Sequence, residues 1–273
     1  MRMKRTMAAL VGAVLALSLA ACGDDDGGGG AGGDDKLVIG IKFDQPGLGL
    51  KNPDGSFSGL DVDMARYIAK GLGYSEDNIE FKESVSANRE TFLENGTVDI
   101  ILATYTINDE RKAKVDFAGP YFLAHQDLLV RADDDSISGP EDLDGKKLCS
   151  VTGSTSAQKV KDSFADKVQL QEFDGYSKCV TALAGGQIDA MTTDNTILAG
   201  YAAQNQGEFK LVGEPFSDEP YGVGLPKGDD ELRDQINDLI EKAFEDGTWE
   251  KAVEDNLGPA GFEVPEPPEV DRY

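Results

Sequence analysis

The chain has 273 residues, 51 of them acidic and 26 basic, a formal charge of −25 and a single histidine. So negative a surface argues against binding nucleic acid, whose phosphates need clustered cations. One histidine leaves little for a metal centre or a hydrolytic triad, and no G-x-S-x-G, H-E-x-x-H or G-x-x-x-x-G-K-[ST] segment occurs.

The N-terminus reads as an address. "MRMKR" is a positive n-region, and "MAALVGAVLALSLA" is an apolar core too short to span a membrane. It ends in "LAAC", which resembles a lipobox, the recognition site of the bacterial lipoprotein signal peptidase. That resemblance implies that residues 1–21 are a signal peptide and that Cys22 carries lipid; an ordinary secretory signal is the alternative. Cleavage there removes Arg2, Lys4 and Arg5, leaving 23 basic against 51 acidic residues, a balance of −28. Residues 22–35 are almost entirely Gly and Asp, have nothing to bury and read as a flexible tether. With Cys22 assigned to lipid, Cys149 and Cys179 remain, and outside the cytoplasm such a pair usually forms a disulfide. A metal pair or a catalytic thiol is the weaker alternative, since His125 is the only histidine.

From Lys36 onward, strand and helix patterns alternate. "KLVIGIKF" reads as a strand. "GLDVDMARYIAKGLG" reads as a helix with Asp61 as N-cap and Leu60, Met64, Ile68 and Leu72 on one face. "IEFK" is a strand, "SANRETFLENG" a short helix, and the continuous apolar run "VDIILAT" a strand covered on both faces. "KLCSV", "VQLQEF", "IDAMTT" and "YGVGLP" are further strands, interleaved with helices over "STSAQKVKDSF", "SKCVTALAGG" and "NTILAGYAA". A long amphipathic helix follows, broken at Gly247, with Leu232, Ile236, Leu239, Ile240, Ala243 and Phe244 on its apolar face. "PEPPEVDRY" reads as a loose tail. The order is α/β. "L-x-x-G-x-[VI]-D" occurs twice, in "FLENGTVDIILAT" and "ALAGGQIDAMTTD", which fits either generic α/β grammar or two similar lobes presenting strand ends to a shared cleft.

Four blocks in order carry a resemblance. "GLDVDMARYIAKGL", "TYTINDERKAKVDFAGPYF", "DLDGKKLCSVTGSTS" and the "DG-T-W" near the C-terminus resemble bacterial extracellular solute-binding proteins of the polar amino-acid class, family 3. The resemblance implies a type II periplasmic-binding-protein-like fold: two α/β lobes, two crossover strands and a central cleft. Lobe 1 would be residues 36–130 plus 221–262, lobe 2 residues 131–220, and 263–273 the tail. It implies a lipid-anchored monomer on the outer face of the cytoplasmic membrane, with no cofactor and no catalysis, passing an amino acid to an ABC permease. Rival readings are an enzyme, since a few relatives of the fold are dehydratases or lytic transglycosylases, and a sensory lipoprotein.

An amino acid brings a carboxylate and an ammonium, which are costly to bury unless paired. Arg111 offers a planar fork to the carboxylate. Thr104 and Thr106, two apart, would share one face of an extended backbone beside it. "TGSTS" opens a helix whose N–H groups face the same carboxylate, and the resemblance places contacts at Gly153 and Thr155, with Ser154 beside them. Asp194 is expected to take the ammonium, with Thr193, Tyr176 and Tyr221 as further candidates. Arg89, with Lys42, would read the side chain. Three cations against Asp194 net +2, which favours glutamate, then glutamine or aspartate. Leu48 stands where many members of the family carry a second aromatic ring, and His125 is taken as structural.

Overall fold

The computed structural model describes residues 36–273; the expected signal peptide, Cys22 and the expected tether lie outside the described residues. In chain order come β1 (Leu37–Ile41), β2 (Asp44–Gln45), β3 (Gly49–Lys51), β4 (Phe57–Ser58) and α1 (Leu60–Gly71). Then follow β5 (Ile79–Glu83), α2 (Arg89–Glu94), β6 (Ile100–Ile101), α3 (Asp109–Lys112) and β7 (Asp116–Arg131). The next stretch is β8 (Lys147–Val151), α4 (Ser156–Ser163), β9 (Gln169–Phe173), α5 (Tyr176–Ala184), β10 (Ala190–Asp194), α6 (Asn195–Gln204) and β11 (Phe209–Leu211). β12 (Ser217–Leu225), α7 (Asp230–Glu245) and α8 (Thr248–Leu257) complete it.

One sheet runs through the molecule in the order β5-β1-β6-β12-β7-β10-β8-β9, with β11 also on β7. β1, β5 and β6 are parallel in lobe 1, and β8, β9 and β10 are parallel in lobe 2. The antiparallel strands β7 and β12 join the halves as the two crossovers. Gln126 pairs both with Asp194 of β10 and with Ser217 of β12, so β7 is joined to a strand of lobe 2 from that residue onward. β7 runs unbroken through the change of lobe, with the polar residues His125, Gln126 and Asp127 at that point. His125 pairs with Asp218 across the crossovers at 2.9 Å.

The helix patterns position the cleft. Leu60, Met64 and Ile68 of α1 are fully buried, each side chain worth about 1.5–3 kcal/mol of apolar transfer. Asp61 is not the N-cap. Gly59 holds that position at φ 122, and the carbonyl of Leu48 leaves no room there for a Cβ. Asp61 instead turns inward, accepting hydrogen bonds from the Tyr121 hydroxyl (2.6 Å) and the Thr104 N–H (3.0 Å). Gly247, at φ 78, divides α7 from α8, and Ile236, Ile240 and Ala243 are buried while Leu232, Leu239 and Phe244 pack beside them. Cys149 and Cys179 form a disulfide that ties β8 to α5.

The tail is not loose at its end. The Asp271 N–H donates to the Gly119 carbonyl, Arg272 pairs with Asp238 and Glu241, and the Tyr273 hydroxyl accepts from the Phe117 N–H. The Pro-rich stretch has no secondary structure, and these terminal polar groups, together with Val264 and Val270 packed on the core, fasten it to lobe 1.

Candidate functional site

"VDIILAT" forms a strand only at Ile100–Ile101, and the reason lies at its end. Thr104 adopts φ 46, a strained conformation for a β-branched residue. Its N–H is held by the buried Asp61, and its hydroxyl donates to the Ala103 carbonyl and Gln45 Oε1. Thr104 and Thr106 therefore do not act as one extended face. Thr104 spends its hydroxyl on the scaffold, whereas the buried Thr106 side chain has no hydrogen-bond partner among the described residues.

Lobe 1 supplies the cations. Arg111, on the four-residue α3, donates Nη1 to the Thr106 carbonyl at 2.7 Å and faces Glu90 at 3.5 Å through Nε. Its Nη2 reaches across to the Gly153 carbonyl at 3.3 Å. Arg89 opens α2, is 2% exposed, and donates Nη1 to the carbonyls of Ala103 and Thr104. Its Nε is buried without an acceptor. Burial, then the Arg111 charge, pulls Arg89 down to about 10. Lys42 follows β1, is 4% exposed, and donates to Ser86 Oγ at 2.7 Å. Burial and then Arg89 hold its ammonium well below the usual lysine range. Neither Lys42 nor Arg89 has a carboxylate within bonding distance among the described residues.

Lobe 2 supplies one carboxylate, hydroxyls and a helix start. Asp194, ending β10, accepts from the Tyr221 hydroxyl at 2.6 Å through Oδ2. Burial, then Glu219, pushes it up to about 7, against the pull of Tyr221, Arg111 and Arg89. Thr193 donates to the Tyr176 hydroxyl, which donates to Ser154 Oγ, so strand end and loop are linked. Tyr221 also bonds Thr196. Ser154 Oγ accepts from the Ser156 N–H at the start of α4. Thr155 holds the N-cap position with helical angles and no side-chain cap. Gly153, at φ 81, lies so close to lobe 1 that a Cβ would stand 2.6 Å from Ala87. The lobes are closed on one another around this ring of residues. A cavity of about 230 Å³ adjoins Lys42 and Tyr176. A second of about 510 Å³ adjoins Arg111, Gly153, Ser154 and Thr155.

The tally of +2 does not survive as a sum, because Glu90 faces Arg111 and Asp61 lies buried nearby. What remains, among the described residues, is the pairing: two buried cations without a carboxylate, opposite one buried carboxylate bonded only to a tyrosine.

The family model for bacterial extracellular solute-binding proteins, family 3, matches residues 37–259. The chain belongs to this family. Among its relatives, the glutamate-binding protein GluB of Corynebacterium efficiens is 53% identical over 268 residues, 93% of this chain and 91% of that protein. The ABC transporter glutamine-binding protein GlnH of Bacillus subtilis is 43% identical over 219 residues, 80% of this chain and 79% of that one. A solved ancestral arginine-binding protein bound to glutamine superposes with a TM-score of 0.77 at 40% identity, covering 82% of this chain and 98% of that one. The fold of this family-3 chain is thus the two-lobed type II arrangement, and its setting is extracytoplasmic solute uptake.

Several residues around this family-3 cleft escaped the sequence reading. Tyr105, between the two threonines, packs its ring against both guanidiniums, 4.1 Å from Arg89 Cζ and 5.0 Å from that of Arg111. Ser86 holds Lys42, Glu90 faces Arg111, and Gln45 is fully buried beside Thr104 with Nε2 unpartnered. Phe43 turns toward Phe57 and Lys51, and Leu48 is core. Only Tyr105 had a visible signal, an aromatic flanked by two candidate site residues.

Proposed function

We propose that the chain is a lipid-anchored receptor that captures an acidic L-amino acid, L-glutamate foremost, by lobe closure and hands it to an ABC permease. The observation that carries this reading is the closed cleft with Lys42 and Arg89 buried and unpaired opposite Asp194. Two like charges held together in low dielectric are poised for an anion. In this reading Arg111, the Thr106 hydroxyl, Gly153 and the N–H of Thr155 take the α-carboxylate, with Ser154 and Thr104 shaping the loops around it. Asp194 takes the ammonium, positioned by Tyr221, Thr193 and Tyr176. Arg89 and Lys42 take the distal carboxylate. Each group has a binding task, and the reading includes no catalytic step. Cys22 would carry the anchor, with one copy acting alone.

Glutamine is the second reading, supported by the 43% identity to GlnH. Calorimetry of the full chain with L-glutamate, L-aspartate, L-glutamine and L-arginine separates the two. L-Glutamate should bind at least about tenfold more tightly than L-glutamine, since hydrogen bonds to charged groups contribute about 1.5–3 kcal/mol. Tighter binding of glutamine or arginine would remove the acidic assignment.

A further inference from the structure

The lobes meet at three places where lobe 2 offers a glycine. Gly153 faces Ala87, Gly200 faces the Pro46 carbonyl, and Gly175 faces the Asp44 carboxylate, where an added Cβ would stand 2.8 Å from Oδ2. The third contact is more than close packing. Asp44 lies on β2 in lobe 1, yet its Oδ2 accepts from both the N–H and the Oγ of Ser177, each at 3.1 Å. Ser177 sits in the first turn of α5, whose N-cap is Gly175 and brings no side-chain acceptor of its own. The first N–H groups of a helix have no partner within it, and a carboxylate placed there also meets the positive end of the macrodipole. This helix receives its cap from the other lobe. Tyr201 of α6 adds a hydrogen bond to the Asp44 carbonyl. Asp44, Ser177 and Tyr201 are not among the groups assigned to the ligand.

We propose that Asp44 is a clasp, a helix cap delivered from lobe 1 to lobe 2, which holds the cleft shut and sets how slowly the ligand leaves. Opening the lobes would pull Asp44 away and leave the start of α5 uncapped. The closed state therefore gains a contribution that no ligand contact supplies, and the equilibrium between open and closed forms shifts by that amount. The proposal rests on the binding reading above only for the choice of ligand.

Asp44→Ala in the full chain should raise the dissociation rate of L-glutamate by about two- to thirtyfold, the range that loss of a helix cap spans. The association rate should stay within about threefold, as differences within one interface fall mainly on dissociation. Asp44→Asn keeps an acceptor oxygen and should recover part of the loss. Gly175→Ala leaves the charge in place but sets a methyl group against the carboxylate, and should reproduce the faster release. Stopped-flow mixing reads the rates, and spin-label distances across the cleft without ligand read the lobes, which should be more open in both alanine variants. Tighter glutamate binding in Asp44→Ala, the result if Asp44 were only a like charge beside Lys42, would overturn the clasp. Unchanged dissociation with unchanged ligand-free distances in both variants would overturn it as well. Failure of the wild type to bind L-glutamate would instead overturn the ligand assignment, since the ligand-free distances test the clasp by themselves.

Discussion

The two walls of the cleft are built from different chemistry. Lobe 1 contributes Lys42, Arg89 and Arg111, each fixed by scaffold groups: Ser86, the carbonyls of Ala103 and Thr104, and Thr106 with Glu90. Lobe 2 contributes a single carboxylate, a row of hydroxyls and the start of a helix. The mutual repulsion of the cations is met once, by folding of lobe 1 around Tyr105, rather than at each closure. In the proposed reading, lobe 1 selects the class of ligand and lobe 2 completes its hydrogen bonds. Arg111 breaks this division, because it alone among the cations reaches the opposite wall, at the Gly153 carbonyl. Arg111→Ala should therefore do the most damage, weakening every amino acid by at least about thirtyfold, as expected for truncating one partner of a buried charge pair at about 2–5 kcal/mol. Calorimetry with glutamate and glutamine, on protein whose melting temperature is checked, measures it. A variant that still bound glutamine normally would show that the carboxylate is held from lobe 2.

Arg89 sharpens the comparison from within lobe 1. It shares the Tyr105 ring with Arg111 but has no carboxylate partner among the described residues. Arg89→Gln should weaken glutamate by about ten- to a hundredfold and glutamine by less than about fivefold, since a charge-assisted bond is lost only with the acidic side chain. Equal losses for both ligands would mean that Arg89 supports the strand end rather than reading the side chain.

What the sequence made visible follows a physical line. Elements whose causes are local were legible: the α/β alternation, the i+4 face of α1 and the break at Gly247; the disulfide pair was legible from the cysteine count. Arg89, Lys42, Arg111 and Asp194 were legible as residue types at element ends. Features that depend on distant partners were not. Asp61 looked like a helix cap because its partners, Tyr121 and Thr104, are far along the chain. The left-handed turn at Thr104 exists because that buried carboxylate holds its N–H, so no propensity announced it. The charge count failed for the same reason, as Glu90 meets Arg111 only in the folded lobe. The tail was misread because a proline-rich composition says nothing of the carbonyl, carboxylates and N–H groups that receive its last three residues.

The smallest effect separates the walls by proton rather than by mutation. Asp194, pushed up to about 7, is largely protonated below that pH in the empty site. The ligand ammonium favours its ionised form, so binding must expel a proton there, and affinity should fall by up to about tenfold per unit as pH drops below 7. Lys42 has the opposite sign. Its depressed ammonium is favoured by the distal carboxylate, so above its pKa in the empty site, binding glutamate must take up a proton and affinity falls as pH rises. The acid limb of a glutamate pH profile then belongs to lobe 2, and the alkaline limb, up to the pH at which the ligand's own ammonium deprotonates, to lobe 1. Asp194→Asn should flatten the first limb and Lys42→Met the second, each leaving the other in place. Below the pH at which the ligand's own ammonium deprotonates, glutamine, which carries no distal charge, should show the acid limb alone. If glutamine showed an alkaline limb below that pH, and Lys42→Met removed it, Lys42 would be responding to the α-carboxylate, and the side chain would be read by Arg89 without it.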